Sequence, residues 1–180
     1  GENGERPYHW KNNQMVWKYD SGNLTPKIAS NSKNQCDGDP CSSAMYSCGI
    51  VKCIEKQLKQ WQTASLFSKT DDKFIPTSDL KITKGVSVEE DITVENYKDW
   101  FEKASAGNFA IVIFDEDGSI LEDYVGKNEG KYLLGLTVPN PSSSGSTFTG
   151  GMVILNGLPL SDNKVSPKGY SGTILHEFGH

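Results

Sequence analysis

The spacing of apolar residues changes several times along the chain, and each change predicts an element. From Tyr8 to Tyr19 (YHWKNNQMVWKY), Met15, Trp17 and Tyr19 alternate with Val16 and Lys18. This predicts a strand with one mostly apolar face, ending at the turn-like DSGN. A Cys-containing loop follows, in which Asp-Gly-Asp-Pro at 37–40 blocks regular structure. From about Ser43 to Ala64 the period becomes helical: Val51, Ile54, Leu58 and Trp61 form an apolar stripe, while Lys56, Lys59 and Gln60 point elsewhere. Such a stripe needs a sheet to cover. DITVENYKDWFEKASAG predicts a second, shorter helix with Thr93 as N-cap, Tyr97, Trp100, Phe101 and Ala104 on one face, and Gly107 just past its end. FAIVIFDEDGSILEDYVG reads as a hairpin, its β-branched run at 110–113 meeting a turn at Asp117-Gly118. Two more strands are expected at Leu133–Val138 and Met152–Leu155, joined by the exposed loop NPSSSGSTFTGG. Ser166-Pro167 supplies the N-cap and first position of a last helix, which carries Ile174, Leu175 and Phe178 toward a core. The order predicts an α/β (α+β) domain with one twisted sheet and two principal helices. No repeat or linker divides it, so residues 1–180 read as a single domain.

Composition narrows the class. A hydrophobic content of 36% with four Trp, seven Tyr and seven Phe predicts folded protein rather than disorder. The net charge is −5 and the basic residues are scattered, which argues against nucleic acid or an anionic membrane as the main partner. No apolar run approaches the roughly 20 residues of a membrane helix. Trp10, Trp17, Trp61 and Trp100 read as packing residues. Four cysteines, Cys36, Cys41, Cys48 and Cys53, lack the C-x2-C knuckles of structural zinc modules. A pair of disulfides is expected, with three connectivities open and buried thiols or a metal as alternatives. The chain opens on GENGERP, without initiator Met or signal peptide. It closes on a candidate metal ligand, so it reads as part of a longer, secreted (extracellular) precursor.

That ligand belongs to GTILHEFGH, the last nine residues. His176 and His180 are four apart, so on a helix their side chains project from one face, about 40° apart. Two imidazoles so placed can reach one Zn²⁺. Glu177 follows the first ligand, and helix geometry sets its carboxylate beside the metal rather than on it. There it can act as general base on water activated by the zinc, and then hand the proton to a leaving amine.

HEFGH resembles the metzincin zinc proteases, especially their matrixin-like branch. The order of a first strand, a long helix ending CIEKQLKQWQTASLF, a strand and hairpin region and a sheet segment before the zinc helix is similar over residues 8–180. The resemblance implies a secreted zinc metalloendopeptidase in which His176 and His180 are the first two zinc ligands and Glu177 is the catalytic base. It also implies a third His six residues beyond His180 and a Met-containing turn, neither of which lies within these residues. His9 falls where the family places no ligand. The chain as it stands is therefore expected to be an inactive piece of a protease, incomplete at its C-terminus. The family binds a protein or peptide substrate as an added strand along the sheet edge before the zinc helix. KYLLGLTVPNP matches that edge, which would offer main-chain groups of Gly135, Leu136 and Thr137. The helix at 93–105 departs from small matrixin catalytic domains.

Matrixins also carry structural Ca²⁺, for which Asp115, Glu116 and Asp117 are candidates, although a charged hairpin turn is the favoured reading. Two other functions compete with the protease. One is a non-catalytic binding or adhesion module that kept the fold, and the other is a thermolysin-like protease with a downstream Glu ligand.

Overall fold

The computed structural model describes residues 9–26, 38–44, 47–63, 65–68, 73–76, 79–142 and 147–179. The expected opening strand is divided in two. Strand β1 (His9–Trp10) is separated from β2 (Gln14–Tyr19) by a 3-10 turn at Lys11–Asn13. Asn12 and Asn13 sit there at φ 57° and 55°, the left-handed region that Asn tolerates better than most residues. A second 3-10 turn, Pro40–Ser43, is capped by Asp39. Its Cys41 forms a disulfide with Cys53 of helix α1 (Ser47–Gln62). Cys36 lies outside the described residues, and Cys48 enters only as backbone of α1.

Helix α1 is described from Ser47, and its buried face is shifted from the expected stripe. Ile50, Cys53, Ile54, Gln57 and Leu58 are buried, at i, i+3, i+4, i+7 and i+8. Val51 is only half-buried and Trp61 is 39% exposed, so both lie beside the stripe rather than on it. The pattern undervalued Cys53, which faces inward because its sulfur is bonded to the buried Cys41.

Two short strands, β3 (Ser65–Ser68) and β4 (Lys73–Pro76), pair antiparallel. They and β5 (Lys81–Ser87) went unpredicted. The sequence of β5, KITKGVS, is almost wholly exposed or half-buried and has no clean alternation. Helix α2 (Tyr97–Ala106) starts four residues after Thr93. Thr93 instead closes the preceding turn: its N–H donates to Asn96 Oδ1 at 2.8 Å, and its hydroxyl accepts from Glu95 N–H at 3.3 Å. The left-handed residue after α2 is Asn108 (φ 55°), not Gly107. Gly107 is needed for space, since a Cβ there would meet the Phe109 ring at 2.6 Å.

The expected hairpin at 109–126 is a strand followed by a helix. Strand β6 (Ala110–Asp115) is buried at every position, and α3 (Ser119–Val125) follows. Parallel partners, β2 and the later β8 (Thr147–Asn156), occupy both sides of β6 and leave no edge for a returning strand. The Asp115 carboxylate also accepts from Ile120 N–H at 3.2 Å and Leu121 N–H at 2.9 Å, which rewards a helical first turn. Strand β7 (Gly135–Pro141) precedes β8, and both extend into the segment expected as a loop, whose tip at 143–146 lies outside the described residues. Short α4 (Leu158–Ser161) and α5 (Pro167–Glu177) complete the chain. Ser166 Oγ accepts from Gly169 N–H at 3.1 Å and Pro167 opens α5, as its sequence predicts.

The strands lie in the order β5-β2-β6-β8-β7, parallel except for β7, with β1 against the start of β8. Alternate residues of β6 feed two cores. Ala110, Val112 and Phe114 join Ile54, Leu58, Tyr170 and Ile174 on the side of α1 and α5. Ile111 and Ile113 join Tyr97, Ala104, Ile120 and Leu121 on the side of α2 and α3. The result is α/β, with helices on both faces of one mixed sheet. Among the described residues no helix is long and apolar enough to cross a membrane.

Asp20, just past β2, ties three segments together. Its carboxylate accepts from Gly22 N–H at 2.7 Å, Phe114 N–H at 3.1 Å and Ile92 N–H at 3.2 Å. Burial outweighs these donors and raises its pKa from 3.8 to about 6. Between those values the folded state holds more protons than the unfolded chain. The stabilisation is therefore full below the unfolded pKa and is lost as pH rises through about 6. From this group the protein should be about 1–2 kcal/mol more stable at pH 5 than at pH 7. Urea midpoints at the two pH values check this, and Asp20→Asn should remove that part of the difference.

Candidate active site

His176 and Glu177 lie at the end of α5, with Phe178 and Gly179 in the turn that follows, and the helix sequence PKGYSGTILHE holds two glycines and a β-branched Thr before Ile174. Intrinsic propensity does little for such a helix, so tertiary contacts must place it. Tyr170 and Ile174 are fully buried, and Phe178 packs edge-on against Trp17 at 6.4 Å between ring centroids. The Tyr170 hydroxyl lies 2.9 Å from Leu134 O and 2.8 Å from Asn156 O, joining α5 to the start of β7 and the end of β8. Complete burial keeps this phenol protonated, with a pKa well above the ordinary tyrosine range.

The two central residues of the motif face different surroundings. His176 is exposed, while Glu177 is buried and turned onto β7. Thr137 Oγ1 lies 2.9 Å from Glu177 Oε2 and 2.7 Å from Glu177 O. A Cβ at Gly135 would lie 2.8 Å from Glu177 Cγ, so glycine makes room for the glutamate stem. Of the predicted site residues, Glu177, Gly135 and Thr137 therefore converge, with His176 adjoining them in the chain. His180 lies outside the described residues. The role of the Thr137 hydroxyl was not legible in the sequence, because nothing local marks a partner 40 residues away.

Register decides what β7 offers along its far side. Asn156 N–H donates to Leu134 O at 3.0 Å, and the antiparallel register continues through Leu136↔Ile154 and Val138↔Met152. Main-chain groups alternate in such a ladder. Leu136 accordingly turns its N–H and C=O toward β8, whereas Gly135 and Thr137 turn theirs to the other side. Pro139, which has no N–H, also falls in the outward set, where a proline costs the ladder nothing. Among the described strands β7 pairs with β8 alone.

A small apolar cavity of about 40 Å³ adjoins Glu177, lined in part by Trp10, Met15, Pro139, Phe148 and Phe178. A larger cleft of about 550 Å³, between Lys131–Leu134 and Leu158–Val165, has neither His176 nor Glu177 in its lining and is separate from this centre.

The donor chemistry fits zinc in kind. Exposed His176 carries an imidazole, a ligand type that zinc accepts, and Glu177 is turned onto β7 with its carboxylate at Thr137. Among the described residues no three His, Cys, Asp or Glu side chains cluster as a metal site. The calcium candidates Asp115 and Asp117 already serve the backbone, Asp117 Oδ1 accepting from Ser119 N–H at 3.0 Å. Burial raises the Asp115 pKa above the carboxylate norm. Compared with known proteins, the chain matches no family model, no curated protein and no solved structure.

Proposed function

We propose that this chain is the N-terminal part of a metzincin-like zinc metalloendopeptidase catalytic domain, acting outside the cell. The observation that carries the reading is the meeting of Glu177 with Thr137 and Gly135, which joins the HEFGH helix to a strand with outward main-chain groups. Sequence proximity does not bring these residues together; the fold does. His176 and His180 would hold Zn²⁺, with a third ligand contributed from beyond residue 180. Bound there, zinc supplies Lewis acidity toward water and the scissile carbonyl.

The protein groups have distinct tasks. An extended peptide adds to β7 through the main-chain groups of Gly135 and Thr137, which sets the scissile bond near Glu177. Glu177 takes a proton from the attacking water and delivers it to the leaving amine. Thr137 suits both protonation states. Its hydroxyl donates to the carboxylate, and once Glu177 is protonated it can accept from the acid while donating to Glu177 O. The Cys41–Cys53 disulfide accords with an oxidising, extracellular setting.

The test is metal content together with proteolysis. A chain extended through its third ligand should carry one zinc, hydrolyse a generic protein substrate and stop with o-phenanthroline. His176→Ala should lose both metal and activity. No bound transition metal in the extended chain would overturn the reading.

A further inference from the structure

The last four carbonyls of a helix have no partner within it, and at the end of α5 each finds one elsewhere. Phe178 N–H donates to Ile174 O at 3.2 Å, and Gly179 N–H donates to His176 O at 2.9 Å. Glu177 O faces the Thr137 hydroxyl. The remaining one, Leu175 O, accepts from Nε1–H of Trp61 at 3.0 Å, across 114 residues of chain. The same indole touches the next residue of interest, since a Cβ at Gly179 would lie 2.6 Å from Trp61 Cζ2. Leu175 directly precedes His176, and Gly179 directly precedes His180. Trp61 thus grips the residue before each imidazole, although it is 39% exposed and stands beside the buried stripe of α1.

We propose that Trp61 is a positioning residue for the metal-binding turn. Its N–H holds the Leu175 carbonyl and its ring packs against Gly179, so the turn that follows His176 is held by this contact. The inference rests on the zinc reading above. Its physical basis is the weakness of α5: a glycine-containing final stretch frays unless its carbonyls are held. Gly179 has the space argument in its favour too, because any side chain there would displace the ring.

Trp61→Phe keeps an aromatic ring but deletes both the N–H and the outer ring atoms that approach Gly179, and at a position 39% exposed it leaves the fold intact. In the metal-free chain extended through its third ligand, exchange of the Phe178 and Gly179 amides should quicken at least about 5-fold, since one neutral hydrogen bond is lost together with the ring contact. The melting temperature should stay near that of the parent. Titrated with Zn²⁺ alone, the variant should bind about 5-fold more weakly. With Co²⁺ in place of zinc, its visible absorption should shift, because that spectrum reports ligand geometry. Gly179→Ala should weaken metal binding in the parent but have less effect when Trp61→Ala has already removed the ring. Equal Zn²⁺ affinity and equal exchange in parent and Trp61→Phe would overturn the role of Trp61 while leaving the site reading intact. No Zn²⁺ uptake by the parent would overturn the site reading, and this proposal with it.

Discussion

Glu177→Gln is expected to abolish turnover while leaving the metal in place. Gln is isosteric, keeps an oxygen to accept from Thr137, and still fits the space that Gly135 leaves. What it lacks is basicity. Loss of a positioned general base costs about 10²- to 10⁴-fold in rate. Zinc content should not change, because Glu177 points onto β7 and is assigned no ligand role. Measuring kcat on a fluorogenic peptide beside elemental analysis separates the two effects. Full turnover in the variant would refute the assigned mechanism, and loss of zinc would make Glu177 a ligand.

The second large effect lies away from the site. Asp115→Ala should destabilise the fold by about 2–4 kcal/mol, because two hydrogen bonds to a buried carboxylate disappear and leave the Ile120 and Leu121 N–H groups without acceptors. For a chain of this size that lowers the melting temperature by about 5–15 °C. Asp115→Asn, which keeps one acceptor oxygen, should fall between the two. The pH dependence has a definite sign. Burial raises the folded pKa, so the carboxyl contributes most below its unfolded pKa of about 4, and less as pH rises through the raised folded value. The gap between parent and Asp115→Ala should therefore narrow with rising pH. Denaturant melts across that range measure it, and a constant gap would mean that burial does not govern Asp115.

Both effects show why some elements could be read from residues alone and others could not. Helix α5 announced its start through Ser166 and Pro167, since a cap and a fixed φ are local properties. The buried stripe of α1 was legible in outline for a similar reason, as periodicity records which face leaves water. Its exact centre was not, because Cys53 is turned inward by a bond to a residue 12 positions earlier. Strand β5 hid because an edge strand with little burial carries little alternation.

The segment after Phe109 is the sharpest case. AIVIF followed by an Asp-Gly turn fits a hairpin locally, and short apolar runs do not say whether a strand is interior or paired with its successor. Occupied flanks on β6 and the Asp115 cap settled the matter in favour of α3.

The site divides along the same line. The candidate chemistry of His176, Glu177 and His180 is written in near-adjacent letters, because the spacing of these residue types is a local property of the sequence. The partners of that turn come from far away: Thr137 and Gly135 on β7, and Trp61 on α1. Hydrogen-bond pairing and strand register are long-range choices, made when the sheet and its flanking helices pack together, and no local pattern encodes them.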